Sequence, residues 1–268
     1  MAPSHPITSR AETVDQMQAN LIAYFRLFAD MPGVTFVETD DVTWFVNATG
    51  EPDNHVLRTQ LVGESIDRRI DEIIGQFSQS TDQIDWLVFP GCRPADLGKR
   101  LEARGMQGGL GGIWMLADLA LLPDALPTPD SFYVEQVRDT TALEVWKQVS
   151  AAGFGGDTQI YYDAYARHGF GADAFSLHYI GYQGDLPVTS STLLLAGGIA
   201  SVYDVSTPPA LRRQGYGSAI TLATLQAARA RGHQYAWIWS SQMGQGVYRK
   251  LGFAAADFGV REYRWRKR

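Results

Sequence analysis

The chain has 268 residues, of which 45% are hydrophobic and 19% charged, with a formal net charge of -6. That balance suits a packed core of one large or two small domains and excludes a disordered chain. The acidic excess argues against a nucleic-acid binder, and no apolar run reaches the roughly 18 residues of a membrane span. The single cysteine, Cys92, forbids an intrachain disulfide, and no secretory signal opens the sequence, so the expected location is the cytoplasm. The five histidines show no ligand spacing, and no metal is expected.

Residues 1–10, with Pro3 and Pro6, read as a loose end. From Glu12 to Asp30, Val14, Met17, Leu21, Tyr24, Phe25 and Phe28 recur at helical spacing, and Met31-Pro32-Gly33 stops the helix. Val34–Val37 and Val42–Val46 are β-branched and aromatic and read as a hairpin, with a third strand over 56–62. Helical period returns from Gly63 to Phe77. A buried strand over 85–89 precedes a helix over 94–104 closed by Gly105. Gly108-Gly109-Leu110-Gly111-Gly112 reads as a flexible turn before a strand at Ile113–Leu116. Leu122 to Asp130, with three prolines and no periodicity, is the linker candidate.

Beyond it the spacing predicts a strand over 132–137, helices over 140–152 and 160–168, and strands over 177–182, 188–195 and 199–205. A helix over 218–231, a strand over 235–239, a helix over 245–251 and a strand over 258–265 complete the chain. An internal echo is visible. Trp86-Leu87-Val88-Phe89, a helix ending at Arg104-Gly105-Met106 and a strand repeat the order of Trp237-Ile238-Trp239, a helix ending at Leu251-Gly252-Phe253 and a strand. This implies a duplicated α/β unit, although β-α-β units also resemble one another by chance.

Arg212-Arg213-Gln214-Gly215-Tyr216-Gly217-Ser218 stands between the 199–205 strand and the 218–231 helix. Two glycines allow a tight turn with exposed backbone N–H groups. The helix start adds unpaired donors and the positive end of its dipole. Arg212 and Arg213 add charge. These features suit a phosphate-bearing ligand, and equally a plain glycine turn. The spacing is not that of the nucleotide P-loop or of the dinucleotide fingerprint.

Arg-x-x-Gly-x-Gly at Arg212, Gly215 and Gly217, together with Tyr248-Arg249-Lys250-Leu251-Gly252-Phe253 downstream, resembles the GNAT superfamily of N-acetyltransferases. The resemblance runs from about Ser131 to the C-terminus. It implies an α/β fold of two GNAT-like mixed-sheet units with flanking helices. Residues 1–121 would be a degenerate copy, 122–130 a linker, and 131–268 the copy carrying the acetyl-CoA loop.

The function implied is transfer of an acetyl group from acetyl-CoA directly to a primary amine. The resemblance places the cofactor on the backbone of Gln214, Gly215, Tyr216, Gly217 and Ser218, with Arg212 or Arg213 beside the phosphates. Val205 and Ser206 would pair with the pantetheine arm, and the Val205 N–H would face the thioester oxygen. Tyr248 would protonate the departing thiolate. Ser241 stands where the family often has an asparagine contacting the cofactor. Asp204 is the first candidate for general base and His178 the second. Strand alternation puts Tyr203 and Asp204 on opposite faces and leaves open which faces the cleft.

Phe154, Tyr161, Tyr162, Tyr165, Tyr179 and Tyr182 could clamp an acceptor or pack the core. The acceptor itself, a small-molecule or peptide amine, is not specified, and a monomer or homodimer is expected. The alternative to an enzyme is a non-catalytic CoA-binding sensor or interaction module, which the substitution at Ser241 favours and an intact Tyr248 disfavours.

Overall fold

The computed structural model describes residues 9–110, 112–171 and 173–267; of the loose end expected over residues 1–10, residues 1–8 lie outside them, as does the Gly111 of the glycine turn, while Ser9 and Arg10 instead begin a helix. Helix α1 (Arg10–Arg26) starts where the Ser9 hydroxyl accepts the Glu12 N–H, an N-cap that satisfies one of the helix's free donors. Strands β1 (Val34–Glu38), β2 (Val42–Asn47) and β3 (His55–Thr59) follow, then α2 (Ile66–Phe77), β4 (Gln83–Val88), α3 (Leu97–Glu102), β5 (Gln107–Leu110) and β6 (Ile113–Asp118). The second half holds β7 (Phe132–Gln136), α4 (Thr140–Phe154), α5 (Gln159–His168), β8 (Ser176–Gln183), β9 (Leu186–Ala196) and β10 (Ile199–Ser206). After these come α6 (Tyr216–Ala230), β11 (Tyr235–Ser240), α7 (Gln245–Lys250), β12 (Ala254–Ala255) and β13 (Arg261–Arg266).

Two mixed sheets result. One runs β1-β2-β3-β4-β13-β5, the other β12-β6-β11-β10-β9-β8-β7. The halves exchange strands. β6, from the first half, is inserted between β11 and β12 of the second sheet, and β13, at the end of the chain, is inserted between β4 and β5 of the first. Apart from β7, which has no counterpart in the first sheet, both sheets have the same order, and each takes its penultimate strand from the other half. The sheets interleave across residues 122–130, so the chain-order division there does not coincide with a division between sheets.

Cross-strand pairs fix the exchange. Trp114 of β6 lies opposite Trp239 of β11 and stacks on both Trp237 and Trp239, with centroids 5.0 and 5.1 Å away. Arg264 of β13 lies opposite Asp85 of β4 and forms a bidentate ion pair with it, both N···O distances being 2.7 Å. Aromatic stacks and opposed charges across strands are what set register in a sheet.

β5 corrects the reading of 108–112 as a flexible turn. A Cβ on Gly108 would strike the Tyr263 ring of β13, so this glycine admits the exchanged strand at close quarters.

Helix α1 joins the halves. Its buried face packs against β3 of the first sheet and β9 and β10 of the second. Asn20, fully buried, donates to the carbonyls of Ala196 and Ile199 and accepts from the Ser201 hydroxyl and the Trp237 indole. All of its capacity is thus used inside the core, as a buried amide requires. The β9–β10 turn passes so close that a Cβ on Gly197, at φ +63°, would meet the backbone of Gln16 and Asn20.

Candidate active site

The second sheet opens at its centre. β10 and β11 run parallel but pair only at Ala200↔Ala236 and Ser201↔Trp237, after which they diverge. Val202, Val205, Ile238 and Ser240 line the gap, leaving one edge of β10 without a strand partner. The first sheet has the same parallel pair in β3 and β4, joined at His55↔Asp85 and Val56↔Trp86. There the gap is closed. Gln60 bridges to Arg93, the Leu61 N–H donates to the Arg93 carbonyl, and the Trp86 indole donates to Thr59 Oγ1. Among the described residues the first copy shows no slot comparable to that of the second.

The loop from Thr207 to Gly215 lies at the end of β10. Arg213 takes φ 63° and Gly215 φ 94°, turning the chain sharply into α6, whose N-terminus has no side-chain cap. The first bond into the helix is from the Ala219 N–H to the Gly215 carbonyl, so the amides of Tyr216, Gly217 and Ser218 are free of helical partners. Arg213 and Gln214 are exposed.

Arg212 is engaged otherwise. Its guanidinium donates to the carbonyls of Gly153 and Thr207, at 2.7 and 3.0 Å, and so ties the loop to the end of α4. Gly153 is required there because a Cβ would collide with the Ser206 hydroxyl. Ser206 itself is buried, its hydroxyl on α4 carbonyls, and the Tyr216 ring packs inward on Phe132. The side chains of Arg212, Ser206 and Tyr216 are thus engaged within the protein.

Asp204 resolves the question of faces. Tyr203 pairs with Thr192 and Ser206 with Ser190, so β10 carries one extra residue, and Asp204 adopts φ 53°. This is a β-bulge, with aspartate in the left-handed region that it tolerates better than most side chains. Alternation is broken, and Tyr203, Asp204 and Val205 all line the cleft. The Tyr165 hydroxyl donates to Asp204 Oδ2 at 2.6 Å and the Tyr24 hydroxyl to Oδ1 at 3.5 Å. Burial pushes the Asp204 carboxyl up to about 6, partly offset by these hydrogen bonds.

Tyr248, on α7, is buried and faces the same cleft. Burial raises its hydroxyl to about 12, so it is protonated at neutral pH. Its ring is seated over Gly244, where a Cβ would collide with it. Ser241 lines the cleft mouth, and its hydroxyl accepts the Gly244 N–H at 3.2 Å, which shapes the turn into α7. His178 is not at the cleft. It is 1% exposed, bonded to Thr192, stacked on Tyr165 and pushed down to about 3 by burial, a neutral core residue behind the tyrosine that holds Asp204.

The cleft occupies about 650 Å³ between the halves. Of the aromatic cluster, Phe154 and Tyr161 line it, while Tyr179 is buried elsewhere in the core and Tyr182 stacks on Tyr133. The opposite wall went unanticipated. Tyr24 stacks face to face on Tyr203 at 3.9 Å, and Glu51, Asp53 and His55 from the first half stand beside Glu262 and Arg264 of the exchanged strand. The acidic turn Glu51-Pro52-Asp53 before a β-branched run was the visible signal. Among the described residues no group of three or more side chains could hold a metal ion, and no helix is long and apolar enough to cross a membrane.

Residues 184–256, spanning β9 to β12, match the family model of the acetyltransferase (GNAT) domain. This stretch of the second half is similar to a GNAT domain. Three solved structures extend the likeness to both halves. A GCN5-related N-acetyltransferase from Kribbella flavida superposes with a TM-score of 0.65 at 17% identity, covering 93% of this chain and 96% of its own. A tandem GNAT protein from the clavulanic acid biosynthesis pathway gives 0.60 at 11% identity, with 95% and 94% covered. A GCN5-related N-acetyltransferase from Sphaerobacter thermophilus gives 0.56 at 11%, with 98% and 93% covered. At these identities the likeness is one of fold, an α/β arrangement of two mixed sheets with flanking helices. A search of curated proteins gave no match.

Proposed function

We propose that this protein transfers an acetyl group from acetyl-CoA directly to a primary amine, using the second GNAT unit. The observation that carries the reading is the divergence of β10 and β11, where Asp204, Val205 and Tyr248 line the cleft and the loop at the end of β10 leads into the uncapped N-terminus of α6. The residues fit such a donor. Free amides at Tyr216, Gly217 and Ser218 suit phosphate oxygens. The unpaired edge of β10 suits the amides of a pantetheine arm, which would add to it as a strand does.

Acetyl-CoA supplies the activated carbonyl. This chain's own residues do the rest. Val205 falls in the bulge without a register partner in β9, and its N–H would stabilise charge on the carbonyl oxygen. The amine nitrogen becomes acidic as it bonds to the carbonyl carbon, and Asp204, with its carboxyl raised to about 6, receives the proton. Tyr248, protonated up to about pH 12, protonates the sulfur as the thiolate leaves. Cys92 stands apart from the cleft, in keeping with transfer without a covalent enzyme intermediate.

The test is release of free CoA thiol from acetyl-CoA on addition of primary amines, with the acetylated product identified by mass spectrometry. Amine-dependent release supports the reading. Stoichiometric CoA binding without release by any amine would favour a non-catalytic CoA-binding module.

A further inference from the structure

We infer that the first half, though without a CoA slot, supplies the specificity site for the acceptor, and that the acceptor carries a second positive charge besides the amine that reacts. This inference rests on the acetyl-transfer reading and names the substrate class of that site.

The end of the cleft away from α6 is built by the first sheet and its exchanged strand β13. It carries Glu51, Asp53, Asp85 and Glu262, with Arg264 as its one cation among the described lining residues. That guanidinium is committed. It holds Asp85 through two 2.7 Å contacts and reaches Glu262 at 3.3 Å. Glu51 and Asp53 have no basic partner among the described residues. Glu51 meets only the Tyr161 hydroxyl, at 3.4 Å, and Asp53 has no side-chain hydrogen bond or ion pair. Two carboxylates held near each other repel, Arg264 acts on Asp53 only without direct contact, and a bound cation lowers that penalty.

A second observation points the same way. His55 lines this part of the cleft, is 4% exposed, and its Nδ1 has no partner. Buried polar atoms of folded chains are satisfied as a rule; burial shifts this ring's pKa down, opposed by Asp53, Asp85 and a hydrogen bond to the Asp85 backbone. An unpaired neutral imidazole nitrogen can accept from an ammonium N–H, as the carboxylates beside it can.

Between this acid end and Asp204 the walls are apolar or aromatic, with Phe25, Tyr24, Tyr203 and Trp239. A flexible alkyl chain suits them, and their faces tolerate a passing cation. The occupant with this chemistry is an alkyl diamine or polyamine, one amine at Asp204 and another charge at Glu51 and Asp53.

The experiment compares 1,5-diaminopentane with pentylamine, which differ only in the second charge. Each is titrated calorimetrically into the full chain, and each is assayed for thiol release with acetyl-CoA. The expected result is binding and kcat/KM favouring the diamine by roughly tenfold or more. The double variant Glu51→Gln, Asp53→Asn should abolish that preference while leaving acetyl-CoA binding unchanged. Equal binding of the two amines, or none by either, would overturn the inference, as would a preference that survives the double variant. Diamine-selective binding without thiol release would sustain the inference and sink acetyl transfer. Equal turnover of both amines would do the reverse.

Discussion

The Tyr165 hydroxyl stands 2.6 Å from Asp204 Oδ2 and donates to it, so the carboxylate on the bulge of β10 is held by a residue of α5. Tyr24 of α1 approaches the other oxygen at 3.5 Å. The proposed base is thus held by both halves of the chain, and its ionisation is open to test from either side.

Asp204 is raised from 3.8 to about 6, so the folded protein binds a proton more readily than the unfolded chain between those values. Stability contributed through this group is greatest below about pH 4 and declines as pH rises towards 6, leaving a cost of up to about 3 kcal/mol above it. Asp204→Asn removes the titration. We expect the melting temperature of the variant relative to wild type to be higher at pH 8 than at pH 4, while turnover falls about a hundredfold or more. In the wild type, kcat/KM should rise through an apparent pKa near 6, and that limb should vanish in the variant.

The Tyr165 bond favours the ionised carboxylate. Tyr165→Phe should therefore move the acid limb of the kcat/KM profile to higher pH, whereas Tyr24→Phe, removing a 3.5 Å contact, should move it less. A limb displaced downward in Tyr165→Phe would contradict the assignment of that limb to Asp204.

Tyr248→Phe keeps the ring seated over Gly244 and removes only the hydroxyl. Its turnover is expected to fall about a hundredfold or more with alkyl thioesters. A donor whose leaving thiol is more acidic should recover most of that loss, since it needs less help to depart. Unchanged turnover would remove Tyr248 from the chemistry.

The order of the strands and helices apart from β5 and β12, the loop at 212–218 and the Tyr248 helix were legible because each is written in neighbouring residues: alternation, helical period, glycine placement. The exchange of β6 and β13 was not. Trp114 meets Trp239 and Asp85 meets Arg264 across separations of more than a hundred residues, and the prolines at 122–130 mark only a local break. The side of β10 on which Asp204 lies was equally hidden, because a single extra residue overrides the two-residue period. His178 has an ordinary sequence context, and only packing against Tyr165 and Trp146 shows it to be core.

Asn20 offers a stability test separate from catalysis. Truncation to alanine leaves the Trp237 indole, the Ser201 hydroxyl and two carbonyls unsatisfied in a buried place. We expect Asn20→Ala to cost about 3 kcal/mol in chemical denaturation. A loss within ordinary surface variation, about 0.5 kcal/mol, would mean that α1 does not bind the halves as described.

The central claim is that the donor's phosphates sit on the free amides at the start of α6, and calorimetric titration with acetyl-CoA tests it most directly. The variant to run beside the wild type is Gly217→Glu. Gly215 is held at φ +94°, where any side chain is strained, whereas a Cβ at Gly217 meets nothing closer than Thr207 Oγ1 at 3.7 Å. Saturable one-to-one binding by the wild type, lost in a Gly217→Glu protein that melts normally, is the expected result. Binding that survives the new carboxylate, or a wild type that does not bind, would contradict the account.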